Sequence, residues 1–315
     1  MFYKSIRTRR QGVSRTFTSR ILLLWFVASL PLISRTQGFS STNPLSSRVE
    51  QTPESVLASF REAGMSPREH SMTPEESAAV AAAFEKLPPL HQRILKEHLE
   101  GISFLDDMPN TALTSIVVTG DSIRRYHITF RAATLHQTIS EWLTEKENTC
   151  FSSTDTGIHV TVHAGDQPAI IYILLHETTH VVDGSLALFD KPDNSFKRNF
   201  TNKIWKSRST MAFRDSLLET NHFRRGGRVY PISVARNLYG ALERTAFVSL
   251  YSTSSWSEDL AECLTVYHLT QLLKQPFRIM VSRCGKTIFA YEPAKKRRVF
   301  QRMKMLSFFY TSPND

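Results

Sequence analysis

Hydrophobic and polar positions show their clearest pattern in the middle of the chain. Ile158, Val160 and Val162 alternate with polar residues, which predicts a strand with one buried face. An apolar run follows from Pro168 to Val182 and stops at Gly184, a residue type that commonly ends helices. The pattern therefore predicts a short strand followed by one apolar helix.

Helix-capping residues, and changes in the period of the apolar positions, predict the remaining helices and strands. Thr73 precedes Pro74, and Glu76 completes a capping box with Thr73, which marks a helix start. Helices are predicted near residues 53–63, 74–86, 89–100, 136–147, 256–274 and 294–306, and strands near 112–119, 126–133, 157–163, 277–281 and 287–291. The order of helices, then strands, then helices predicts the α+β class.

The amino terminus has the pattern of a targeting segment. Residues 1–38 carry seven Lys and Arg, no acidic residue, and an apolar run from Ile21 to Ile33. That run is short for a bilayer span and suits a signal peptide, with an uncleaved anchor as the alternative. We therefore expect an exported protein, periplasmic or secreted, or one tethered to a membrane through residues 21–33.

The composition of the rest of the chain predicts a linker followed by two structured regions. Residues 39–52 are rich in Ser, Thr and Pro and predict a linker. Residues 53–110 are predicted to form an N-terminal helical region, and residues 111–315 the main α+β domain. The three cysteines form neither a metal-type pair nor a disulfide framework.

The net charge of +10 is unevenly distributed. Without residues 1–38, 32 basic residues face 29 acidic ones, so the remaining chain is close to neutral. A near-neutral surface attracts phosphates weakly, and we expect no nucleic-acid partner. The basic residues between Lys295 and Lys304 are predicted to form a solvated helix face.

The apolar helix carries a metal-binding pattern. His176 and His180 are four residues apart, so they lie on one helix face and both imidazoles can reach a single ion. Zinc suits two imidazoles and a carboxylate, with a fourth position for water. Glu177 stands beside the first histidine and can accept a proton from that water during attack on a carbonyl. The alternative is a polar stripe without metal, which would leave the burial of these groups uncompensated.

A third ligand is expected from a second helix. Glu258 and Glu262 are also four residues apart, so one carboxylate can bind the ion and the other can accept a hydrogen bond from a ligand imidazole. Asp259 lies about 100° from Glu258 around the helix and should face elsewhere. The alternative is an ordinary acidic first turn favoured by the helix dipole.

These two motifs carry a family resemblance. His176-Glu177-Thr178-Thr179-His180 with the distant Glu258-Asp259-Leu260-Ala261-Glu262 resembles the zincin metallopeptidases with a glutamate third ligand, and is most similar to the catalytic domain of anthrax lethal factor and its relatives. The resemblance implies a zincin-like fold over residues 111–315, a small mixed or antiparallel sheet packed on the active-site helix, one Zn²⁺, and hydrolysis of a protein or peptide substrate.

The resemblance also implies roles for single residues. Glu258 would be the third ligand, and Glu262 would hydrogen-bond a ligand histidine. Tyr251, seven residues before Glu258, would stabilise the developing oxyanion. The 77 residues between His180 and Glu258 exceed what we expect for that family and suggest an inserted lid or specificity element.

Three further residues are candidates for roles near the centre. Asp183 shares a helix face with His180 and is expected either to support that histidine or to form a polar helix end, rather than to bind the ion. His159 and His163 occupy the polar face of the predicted strand, either exposed or near a sheet edge that pairs with substrate. The alternative function is a zinc-binding regulatory or toxin-like protein of the same fold with narrow or no peptidase activity.

Overall fold

The computed structural model describes residues 33–34, 41–118, 123–152, 157–191 and 194–311 of the chain. Helices in this part of the chain are Glu54–Glu62 (α1), Pro74–Glu85 (α2), Pro89–His98 (α3), Ile139–Asn148 (α4), Ala169–Leu186 (α5), Ser195–Thr201 (α6), Ser216–Glu219 (α7), Ala235–Glu243 (α8), Trp256–Tyr267 (α9) and Arg297–Met303 (α10). Strands are Ile33–Ser34 (β1), Arg68–Glu69 (β2), Leu99–Asp106 (β3), Ala112–Val118 (β4), Arg125–Arg131 (β5), Phe151–Ser152 (β6), Ile158–His163 (β7), Trp205–Ser207 (β8), Thr210–Met211 (β9), Tyr230–Pro231 (β10), Arg278–Arg283 (β11) and Lys286–Tyr291 (β12). The class is therefore α+β, as predicted.

The largest sheet has the strand order β1-β4-β5-β3-β2. Strand β3 runs parallel to β5, whereas β4 is antiparallel to β5 and β2 is antiparallel to β3. β1 pairs in parallel with Val117 and Val118 at the end of β4. The sheet takes strands from both sides of the boundary that is predicted between residues 110 and 111.

Apolar side chains cover both faces of this sheet. On one face Val56 and Phe60 of α1 pack against Leu105 and Val117. On the other face Ile102 and Phe104 join the main core, which also contains the apolar side chains of α5. Helix α5 packs against α2, α3, α4, α9 and β4. The helix with the metal-binding pattern is therefore fixed from several sides, which limits its movement.

A second sheet is antiparallel with the order β12-β11-β7. The strands predicted near residues 277–281 and 287–291 are confirmed as the hairpin β11–β12, and its turn places Cys284 and Gly285 at φ 46° and 76°. The alternation in β7 is also confirmed, since Val160 and Val162 are buried and His159 is exposed. Helix α9 continues through a π-helical turn, His268–Leu272, close to the predicted end of that helix.

Two local predictions were wrong. β3 was not predicted because α3 ends at His98 and the strand begins at the next residue, without a turn to mark the change. Helix α5 continues beyond Gly184, where a Cβ would lie 2.2 Å from the Tyr126 hydroxyl oxygen. Gly184 thus permits close helix–sheet packing, and the left-handed Ala187 ends the helix.

The predicted apolar run 21–33 lies outside the described residues except for Ile33, whose backbone forms part of β1. None of the helices in the described ranges combines the length and apolar character needed to cross a membrane.

Candidate metal centre

Two histidines on α5 share one side of the helix, as their spacing predicts. The ring centroids of His176 and His180 lie 5.0 Å apart in an edge-to-face arrangement. Both rings are held at the helix surface that faces α9, because α5 and α9 pack directly against each other. The two imidazoles therefore present Nε2 atoms to one point.

Helix α9 brings Glu258 to that point. Ser255 caps the helix by accepting a hydrogen bond from the Glu258 N–H, which places the glutamate in the first turn. Glu258 Oε2 lies 3.1 Å from His176 Nε2 and 3.3 Å from His180 Nε2. Ligand atoms of these three residues all lie within 4.8 Å of one another, so the group can hold a metal ion.

Glu262 lies one turn deeper and is buried. Its Oε1 is 3.1 Å from His176 Nδ1, although the ring N–H is poorly aligned with that oxygen. The other oxygen accepts hydrogen bonds from the Tyr172 hydroxyl at 3.0 Å and the Ser249 hydroxyl at 2.6 Å. Lys146 Nζ lies 3.4 Å from Oε1. Glu262 is thus held by its neighbours on the side of His176 away from Glu258.

These carboxylates and imidazoles shift one another's pKa. Burial by itself would lower the pKa of His176, but Glu258 and Glu262 raise it to about 9. Burial would raise the pKa of Glu258, but His180 and His176 hold it well below its usual range. Likewise, Lys146 and His176 outweigh burial and lower the pKa of Glu262 to about 2. The centre is therefore a compact set of charges in a low-dielectric surrounding.

Glu177 is held by the sheet rather than by the other charged groups. Its Oε2 accepts a hydrogen bond of 2.8 Å from the Thr114 hydroxyl on β4. The side chain is only half-buried, so one carboxylate oxygen stays available to a small molecule at the centre. Thr114 was not predicted as a site residue, because a threonine in a β-branched strand gives no signal of its own.

Tyr251 lies beside the first histidine. The ring centroids of Tyr251 and His176 are 5.6 Å apart. Burial, with the nearby charges of Glu258 and Glu177, raises the pKa of Tyr251 well above its ordinary value, so the hydroxyl stays protonated. Lys146 Nζ lies 3.8 Å from the centroid of this ring. The structure therefore brings Tyr251 to the centre, next to the residues with which the family resemblance grouped it.

Asp183 contacts the second helix. Its carboxylate accepts a hydrogen bond from Ser257, and burial raises its pKa to about 6 against the opposing charge of His180. Asp259 faces elsewhere, as predicted, and accepts hydrogen bonds from Arg302 and from Trp205 Nε1 at 2.8 Å. Arg302 itself is buried, so this member of the basic cluster is not part of a solvated face.

The outer edge of β7 is not open to a substrate strand in the structure. The strand is paired with β11 on one side and covered by α4 on the other, where the Val162 N–H donates to the Thr144 hydroxyl at 2.9 Å. Asn148 Nδ2 donates to the Val160 carbonyl at 3.0 Å. His159 and His163 are exposed. The strand next to the centre is β4, through Thr114.

The donor set fits a metal ion. Two imidazole Nε2 atoms and a carboxylate oxygen converge on one point, and a second carboxylate supports Nδ1 of one imidazole. Two histidines and one glutamate form one of the ligand sets that occur in catalytic zinc sites, where a ligand imidazole commonly has a supporting carboxylate. Tyr172 could have been found from the sequence, since it precedes His176 by four residues on the same helix face; Lys146 and Ser249 carry no such signal.

Comparisons with family models, with curated protein sequences and with solved structures find no match to this chain.

Proposed function

We propose that this protein is a zinc-dependent metallopeptidase with a zincin-like architecture. The observation that carries the proposal is the convergence of His176, His180 and Glu258 beside a half-buried Glu177 that is not in the ligand group. A protein that only stored or sensed zinc has no need for a carboxylate next to the ion. The arrangement of an apolar helix below a sheet with an antiparallel edge strand supports the same proposal.

In the proposed reaction, each residue of the candidate metal centre has a separate role. His176, His180 and Glu258 would hold the ion, which when bound supplies Lewis-acid activation of water. Glu177, oriented by Thr114, accepts the proton of the attacking water and can pass it to the leaving amine. Tyr251 keeps its proton and donates a hydrogen bond to the oxygen on which negative charge develops.

Strand β4 can position the substrate. In the described part of the chain β1 pairs only with Val117 and Val118, so Ala112–Ile116 has a strand partner on one side only. Thr114 lies in this stretch and contacts Glu177. An extended peptide that added to this edge would have its backbone aligned next to the catalytic carboxylate.

Metal analysis and proteolysis test the proposal together. The purified protein should contain zinc in a one-to-one ratio and degrade casein, and a chelator should abolish the degradation. His176→Ala should lose both the metal and the activity. His159→Ala is the matched control, since it removes an exposed histidine outside the centre and should change neither. Metal binding without any degradation would instead support a regulatory or narrowly specific protein.

A further inference from the structure

The segment between the two ligand-bearing helices carries a large share of the positive charge. Residues 194–250 contain 11 Lys and Arg but three Asp and Glu. Outside this segment and residues 1–38, the chain has 21 basic and 26 acidic residues. The excess of positive charge in the folded part is therefore local rather than spread over the surface, which is the condition for a directed electrostatic effect.

The acidic residues of this segment are already paired. Asp215 lies 3.5 Å from Arg244, and Glu219 lies 3.0 Å from Arg214. Glu243 pairs with a lysine of the C-terminal region. Four exposed cations of this segment lie in or directly beside two turns, and we call them the basic rim: Lys206, Arg208, Arg225 and Arg228. Among the described residues, none of these four has an ion-pair partner.

One side chain joins the two turns of the basic rim. The Arg224 guanidinium donates to the Ser209 carbonyl at 2.6 Å and also to the Thr253 carbonyl. Arg208 is next to Ser209 in the β8–β9 turn, and Arg225 is next to Arg224 in the turn after α7. The Arg224 side chain therefore connects the backbone of the β8–β9 turn with the turn that follows α7.

The same turns contact the elements that build the metal centre. The Trp256 N–H donates to the Arg208 carbonyl at 2.9 Å, at the start of the helix that carries Glu258. The ring centroid of Phe223 lies 5.3 Å from that of Tyr251, which is 5.6 Å from the His176 ring. The two turns of the basic rim thus contact residues next to the candidate metal centre.

We propose that the basic rim binds acidic side chains of the substrate, so that the protein acts on acidic polypeptides. This inference rests on the proposed peptidase function and assigns its substrate class. Exposed cations within about one Debye length, ~8 Å, of a bound peptide favour carboxylate-rich sequences and raise their rate of association. The residues inserted between His180 and Glu258 then serve as the specificity element.

A basic surface can also bind nucleic acid, but the basic rim lacks the aromatic rings that such binding usually uses. Binding of single strands usually combines cations with exposed aromatic rings on which bases stack. Within residues 194–250, the exposed large apolar side chain is Val229, and no exposed large aromatic side chain occurs among the described residues of this segment. An acidic peptide needs only the charges.

Binding and cleavage of two matched peptides test the inference. One fluorescent peptide carries Glu at several positions, and its partner carries Gln at the same positions. In the Glu177→Gln protein, which should not turn over, we expect the Glu peptide to bind at least about tenfold more tightly at low salt, by anisotropy, and added salt to remove the difference. Arg208→Gln/Arg225→Gln should weaken its binding about five- to tenfold and leave the Gln peptide unchanged.

A matched variant controls for net charge. Arg297→Gln/Lys304→Gln removes two exposed cations from the C-terminal helical region and should leave the peptide preference intact. Equal binding of the two peptides, equal effects of the two variants, or tighter binding of a single-stranded oligonucleotide than of the Glu peptide would overturn the inference. Rim-dependent binding of the Glu peptide without cleavage by the zinc-loaded wild type would refute the peptidase proposal while supporting recognition of acidic chains.

Discussion

Two glutamates one helical turn apart have different surroundings, and that difference assigns their roles. Glu258 is 20% exposed and touches Nε2 of both histidines, whereas Glu262 is 1% exposed and lies on the Nδ1 side of His176. A carboxylate beside two Nε2 atoms is placed to share an ion with them. A carboxylate at Nδ1 is placed to orient the ring and increase its basicity.

Zinc titration of three variants tests these roles. Glu258→Gln should lose most of the zinc affinity, because a ligand oxygen becomes a weakly coordinating amide. Glu262→Gln should weaken zinc binding about 10–100-fold, the usual effect of removing a supporting contact. Glu177→Gln should retain zinc and lose turnover, because it removes the proton acceptor and no ligand. Loss of zinc from Glu262→Gln with retention in Glu258→Gln would reverse the two assignments.

Lys146 is a positioning residue that the sequence did not indicate. Its ammonium group lies 3.4 Å from Glu262 Oε1 and 3.8 Å from the centroid of the Tyr251 ring. Lys146→Met keeps a similar volume and removes the charge, so Tyr251 loses the cation that fixes its ring. We expect kcat to fall on the order of tenfold while KM changes little.

The conservative change gives the control for this position. Lys146→Arg keeps a cation over the ring and should retain most of the activity. Zinc content should stay unchanged in both variants, which separates loss of the ring contact from loss of the metal. An unchanged kcat in Lys146→Met would show that Tyr251 does not depend on the lysine.

At the level of elements, a buried ion pair fixes the ligand-bearing helix to the C-terminal helix. Arg302 of α10 donates to Asp259 of α9 at 2.6 and 3.1 Å, with both side chains almost completely buried. The Trp205 N–H supplies another hydrogen bond to Asp259. This network fixes the rotation of α9 about its axis, and that rotation aims Glu258 at the histidines.

Removal of one partner of this ion pair should therefore lower the free energy of unfolding. Arg302→Met leaves a carboxylate buried without its cation, and we expect a loss of about 3–5 kcal/mol in the free energy of unfolding, measured in urea. Asp259→Asn combined with Arg302→Met removes both charges and should recover much of the loss. Arg297→Gln, an exposed neighbour on α10, should change stability little. Stability of Arg302→Met equal to that of the wild type would show that the pair does not hold α9.

The elements that the sequence predicted are those with local signals. The capping box predicted at Thr73 is formed in the structure, and the predicted alternation in β7 is observed. The i, i+4 histidines required only the geometry of one helix. β3 has buried residues on both faces, so it shows no alternation and could not be distinguished from an extension of α3.

The contacts that complete the centre are long-range, and local patterns do not predict them. Thr114 and Glu177 are in contact although 63 positions separate them in the sequence, and Lys146 and Glu262 are in contact although 116 positions separate them. Strand pairing and helix packing bring these residues together, and neither leaves a spacing in the sequence. The direction of Asp259 was predictable from helical geometry, but its partner Arg302 was not, because basic residues at a chain end are usually solvated.

At the scale of the whole molecule, two groups of cations differ in how they contact the folded chain. Residues 1–38 carry seven cations, and their described contact with the fold is the pairing of β1 with the last two residues of β4. The basic rim is instead fixed to the candidate metal centre by hydrogen bonds and ring contacts. Charge near the site and charge at the amino terminus can therefore be removed independently.

Removal of residues 1–38 should leave the fold intact. The main core begins with Leu45, and Arg48 is anchored by donating to the Leu95 and Lys96 carbonyls at 2.9 Å. Both remain in the shortened chain, whereas the part removed contributes two backbone pairs at a sheet edge. We expect the melting temperature to match that of the full chain within about 2 °C. Removal of residues 1–52 is the matched control: it takes away Leu45 and the Arg48 anchor and should lower the melting temperature by about 5–10 °C. A drop of that size already on removal of residues 1–38 would mean that the amino-terminal segment belongs to the folded core, and the expectation of a separable targeting segment would then be wrong.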